Sequence, residues 1–108
     1  MVDTSVVESV KKYLALLQAE GLDVSFGVLF GSFARGEADK WSDIDLLVVS
    51  PRFDGAYGRE DVDRLWIATA KSDNRIEPIP CGKRQWAEDD TRAIVEFARR
   101  EGLMIEAA

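Results

Sequence analysis

Apolar residues recur along the chain with two periods, and the change from one to the other marks out its elements. From Thr4 to Glu20 the residues Val6, Val7, Val10, Leu14 and Leu17 fall at helical spacing. Ser5 followed by Glu8 suggests a capping box at the start, and Gly21 suits the end. Leu22 to Phe30 then alternates, with Val24, Phe26, Val28 and Phe30 on one side and Leu29 on the other, which predicts a strand. Gly31-Ser32 follows as a strand-to-helix turn, and a short helix through Phe33, Ala34 and Arg35 is stopped by Gly36. Glu37 to Ser42 is a polar loop holding one large apolar residue, Trp41.

Asp43 to Ser50 reads as a second strand whose run Leu46 to Val49 is apolar on both faces, as expected of a strand covered on each side. Pro51 ends it, and residues Pro51 to Arg59 form a loop. Glu60 to Lys71 returns to helical spacing through Val62, Leu65, Trp66 and Thr69 or Ala70, before a break at Ser72-Asp73-Asn74. Arg75 to Cys81 alternates again, and Pro78 and Pro80, which cannot donate to a ladder, restrict it to a sheet edge or to a strand that pairs only at its start. Gly82 opens a loop in which Trp86 packs. A third helix runs from Thr91 to Arg100 through Ile94, Val95, Phe97 and Ala98, closed by Arg99, Arg100 and Gly102, and Leu103 to Ile105 adds a short strand. The acidic run Glu88-Asp89-Asp90 reads as a solvated helix start, and Trp41, Tyr57 and Trp86 as core, with a partner surface as the alternative. The sum is one small α/β domain over residues 1–108, with three helices and three or four strands.

Composition narrows what such a domain does. The chain is 46% hydrophobic and 31% charged, a globular balance, and its net charge of −6 argues against a broad nucleic-acid surface. No apolar run reaches the roughly 18 residues needed to span a bilayer, and the N-terminus lacks the features of a signal peptide, so a cytoplasmic location is expected. The single cysteine, Cys81, reads as a small semi-buried residue. Without histidine there is no serine triad, no Cys/His nucleophile and no zinc site of the usual kind, which leaves catalysis to carboxylates, lysines, tyrosines or metal.

The chemistry-bearing stretch is Gly31 to Ser50, GSFARGEADKWSDIDLLVVS. Residues two apart on a strand share a face, so Asp43 and Asp45 stand side by side. Like charges so placed repel unless a cation lies between them, which makes the pair a candidate divalent-metal site. The Gly31-Ser32 turn exposes N–H groups and a hydroxyl suited to phosphate oxygens. A phosphate cradle beside carboxylates that suit Mg²⁺ points to metal-assisted phosphoryl or nucleotidyl transfer, in which a third carboxylate helps; Glu77 is the candidate.

These residues resemble the signature of the minimal nucleotidyltransferases, small members of the DNA polymerase beta-like superfamily. The matching positions are Gly31, Ser32, Ala34, Arg35, Gly36, Ser42, Asp43 and Asp45. The resemblance implies a nucleotidyltransferase fold, a small mixed β-sheet packed with three to four helices in an αβα sandwich. It also implies transfer of a nucleoside monophosphate from a triphosphate, ATP above all, with Mg²⁺ or Mn²⁺ as cofactor. Gly31 and Ser32 would hold phosphate, with Arg35 beside them. Asp43 and Asp45 would hold the metals, and Glu77 the third position, where the family often has aspartate. Many such proteins resemble the antitoxin half of a two-protein system, bound to an all-helical HEPN-type toxin that some adenylylate on tyrosine. Two alternatives stand beside this reading. One is a non-catalytic module that neutralises a helical partner by covering it; the other is a small-molecule, antibiotic-type transferase working as a homo-oligomer or with a partner subunit.

Overall fold

The computed structural model describes residues 3–39, 41–88 and 91–107. In chain order its elements are α1 (Thr4–Ala19), β1 (Phe26–Phe30), α2 (Ser32–Arg35), β2 (Ile44–Ser50), a 3-10 turn (Pro51–Phe53), α3 (Arg59–Ala70), β3 (Ile76–Gly82), α4 (Lys83–Glu88), α5 (Ala93–Glu101) and β4 (Leu103–Ile105). The four strands make one sheet in the order β3-β2-β1-β4. β1 is antiparallel to both β2 and β4, whereas β2 and β3 are parallel. The sheet is therefore mixed, as the resemblance implied.

Alternation along β2 decides how the layers form. Ile44, Leu46 and Val48 point into one cluster with Val6, Val10, Tyr13, Leu14 and Leu17 of α1 and Leu65 and Ala68 of α3. Leu47 and Val49 point into the other, with Val95 and Ala98 of α5 and Trp86 of α4. Both faces are covered, so the apolar run of β2 has a partner on each side, and every residue from Leu46 to Val49 is fully buried. Complete burial of each such side chain contributes about 1.5–3 kcal/mol. Gly27 sets how closely α1 approaches: a Cβ there would lie 2.9 Å from Leu14 Cδ1 and 3.1 Å from Leu46 Cδ1.

Four local expectations need correction. The cap of α1 is Asp3, whose carboxylate accepts from the Ser5 amide at 2.9 Å and the Ser5 hydroxyl at 2.8 Å; Ser5 itself is inside the helix. The first strand starts at Phe26 rather than Leu22, because Leu22 and Val24 follow the helix end in a turn where Gln18 donates to the Val24 carbonyl. Residues 83–88 form a helix, not a loop: Asp54, thirty positions upstream, accepts from the Arg84 amide at 2.9 Å and starts it. Trp41 and Tyr57 are 81% and 39% exposed, so neither is core. Glu88 closes α4 and is exposed, while Asp89 and Asp90 lie outside the described residues. Trp86 does pack, edge-on to Phe26 at 5.8 Å, and Cys81 is fully buried. Among the described residues no helix is long and apolar enough to cross a membrane.

One buried polar contact ties α1 to α3. The Tyr13 hydroxyl, with its ring wholly buried, donates to the Leu65 carbonyl at 2.7 Å. Burial pushes its ionisation well above the ordinary tyrosine range. The native state thus favours the neutral phenol, a preference fully present below the unfolded pKa of about 10 and lost as pH rises from there towards the folded value. Tyr13→Phe is expected to cost about 1 kcal/mol at pH 7, where only the hydrogen bond is removed. Urea midpoints of the two proteins should converge or cross above a pH of about 10.5, since phenylalanine has no proton to lose.

Candidate active site

β1 delivers the chain to the site and Gly31 turns it. Gly31 has φ 78° and ψ −153°, a combination that L side chains scarcely adopt, and a Cβ on it would collide with the Asp45 carboxylate. The turn is thus folded directly onto Asp45. Ser32 opens α2, Gly36 closes it in the left-handed region with φ 73°, and the polar loop then returns the chain to β2.

The strand register assembles the rest. Phe30 of β1 pairs with Asp45 of β2, and Asp45 pairs with Glu77 of β3, so these three stand in one row across the sheet on the face covered further along by α4 and α5. Asp43 precedes β2 on the same face and is exposed, whereas Asp45 and Glu77 are half-buried. Glu77 lies close enough to both aspartates for each to raise its proton affinity. Glu77 is raised above the usual carboxylate range, first by burial and then by the charge of Asp43 and its bonds to the two aspartates. Asp45 is also raised, by burial and then by Asp43, with its bond to Glu77 and the charge of Arg35 pulling the other way.

The charge of Arg35 thus reaches Asp45, but its Nε donates to Glu37 Oε2 at 3.2 Å. Of the six residues expected from sequence, Gly31, Asp45 and Glu77 come into direct juxtaposition, Asp43 is near enough for its charge to act on Asp45 and Glu77, Ser32 stands at the turn, and Arg35 lies at the edge. Among the described residues no set of three or more carboxylate or thiol groups is arranged to hold a metal ion by itself. The donor set nonetheless suits Mg²⁺, which takes one or two carboxylates and completes its shell with water and substrate phosphate. Mutual repulsion and raised proton affinity are what hard oxygen donors show when crowded together.

A support that the sequence did not reveal sits behind the turn. Arg75 binds Asp73 through two bonds, Nη2 to Oδ2 at 2.7 Å and Nε to Oδ1 at 3.1 Å, and its guanidinium lies 5.7 Å from the centre of the Phe33 ring. Its carbonyl accepts from the Ile44 amide at 2.9 Å. One residue thus braces α2, next to Ser32, and the entry to β2, next to Asp43. Asp73 is held below the usual carboxylate range chiefly by its bond to Arg75.

The sequence from residue 9 to residue 100 matches the family model described as nucleotidyltransferase domain, which spans every residue of the row and the turn. The chain belongs to this family. A crystal structure of a candidate nucleotidyltransferase from Sulfolobus solfataricus is similar in fold, with a TM-score of 0.62 over 91% of this chain and 77% of that one. At 16% identity the likeness concerns the fold alone. No curated protein matches the sequence.

Proposed function

We propose that this nucleotidyltransferase domain moves a nucleoside monophosphate, AMP from ATP, onto a hydroxyl of a protein partner. The acceptor hydroxyl gives up its proton to solvent, its oxygen forms a bond to the α-phosphorus, the α–β bridge breaks, and pyrophosphate leaves. The observation that carries the reading is the row Asp45–Glu77 beneath the Gly31 turn, because it sets paired carboxylates against a backbone cradle. Asp43 and Asp45 would hold Mg²⁺ or Mn²⁺, with Glu77 as the third position, and the ion would supply charge neutralisation on the phosphates and a lowered pKa for the attacking hydroxyl. Gly31 and Ser32 would seat phosphate oxygens, and Arg35, at the edge of the row, would meet the triphosphate if it exchanged its pairing with Glu37.

The partner we propose is a HEPN-type helical protein modified on tyrosine, with the domain acting as its antitoxin. The resemblance of the Gly31–Asp45 stretch supports this, as do the acidic net charge, which disfavours a nucleic-acid acceptor, and Trp41, 81% exposed and two positions before Asp43. The test is incubation with labelled ATP, Mg²⁺ and the product of the neighbouring reading frame. The native chain should label that protein, and Asp43→Ala/Asp45→Ala should reduce labelling by at least about a hundredfold. Equal labelling by the double variant would show the assigned site to be wrong.

A further inference from the structure

The carboxylates and the turn account for metal and phosphate, but nothing so far receives the base of the nucleotide. Phe97 is one of the apolar residues of α5. Its helix neighbours Val95 and Ala98 are indeed buried, yet Phe97 is 41% exposed. Its ring meets Phe30 edge-on, with centroids 6.5 Å apart and planes at 70°. Phe30, only 6% exposed, is the β1 member of the same lateral row as Asp45 and Glu77, and the residue immediately before Gly31.

From this geometry we propose that Phe97 stacks the base of the nucleoside triphosphate, with Phe30 holding the ring in place from below. The inference rests on the reading of the row and the turn as a nucleotide site. Phe97 contacts Phe30, and Phe30 pairs with Asp45 on the adjoining strand, so a single side chain separates the Phe97 ring from the carboxylate row, within the span of one nucleotide whose phosphates lie on the turn. The edge-to-face contact with Phe30 fixes the Phe97 ring and leaves part of its surface to solvent. An aromatic surface accepts any base through its π-face, so this platform supplies affinity and orientation more than a choice among bases. Phe97 touches neither the metal position nor the reacting phosphate, and acts as a substrate-positioning residue.

Calorimetric titration separates this role from the phosphate site by using two probes, Mg²⁺-ATP and Mg²⁺-tripolyphosphate. Phe97→Ala should weaken ATP binding by about 5- to 100-fold. It should leave tripolyphosphate binding within twofold of the native chain, and Phe97→Trp should restore ATP binding. Asp45→Asn should weaken both probes. ATP affinity unchanged in Phe97→Ala, or equal weakening of the two probes, would overturn the stacking role while leaving the phosphate site standing. A native chain that binds neither probe would overturn both.

Discussion

Asp45→Asn should yield a protein that melts higher than the native chain and transfers nucleotide at least a hundredfold more slowly. Asp45 lies directly opposite Glu77 in the parallel ladder and close enough to Asp43 to be raised by its charge. Like charges placed opposite each other on neighbouring strands destabilise by up to about 1 kcal/mol. Asparagine is isosteric, keeps a partner for Glu77 and removes one of the charges, so a rise of about 4 °C in Tm is expected. The functional loss comes from the same change, since an amide is a poor ligand for a hard cation, and metal stabilisation of the transition state amounts to several kcal/mol. Millimolar Mg²⁺ should raise the native Tm and leave the variant's unchanged, because only the native row binds the ion. A variant with lowered stability and intact activity would mean that the row is structural.

Gly31→Ala should act in the opposite direction on stability, at a cost of about 1–3 kcal/mol for the backbone conformation alone. The added methyl has nowhere to go, because it points at the Asp45 carboxylate. Either the turn or the carboxylate must shift, and Mg²⁺-ATP binding should fall with stability. A double-mutant cycle with Asp45→Ala divides the two causes. Removing the carboxylate relieves the collision and leaves the φ of 78° unrelieved, so part of the stability should return and none of the binding. Full recovery would mean that the conformation at residue 31 carries no strain; no recovery would mean that the methyl and the carboxylate do not meet.

What could be read from the sequence was local in origin. The apolar run Leu46 to Val49 announced a strand covered on both faces, and Pro78 and Pro80 announced an edge, because each follows from a property of the residues themselves. Gly31, Asp43 and Asp45 were legible for the same reason, since the spacing of two carboxylates on a strand fixes their common face. Glu77 needed more, and its place in the row depends on the register of β3 against β2. Features set by distant partners stayed hidden. The helix α4 begins because Asp54 caps it across the fold, and the Arg75 brace joins Asp73, Phe33 and the Ile44 amide. Trp41 and Tyr57, read as core, lie at the surface, because aromatic character says nothing of which elements lie opposite.

Comparison of ATP labelled at the α-phosphate with ATP labelled at the γ-phosphate, each supplied with Mg²⁺ and the acceptor protein, tests the central claim most directly. Nucleotidyl transfer at the Asp43–Asp45–Glu77 site predicts covalent label from the α position, none from the γ position, and one pyrophosphate released for each nucleotide attached. Label from the γ position, or label from either that persists in Asp43→Ala/Asp45→Ala, would contradict it.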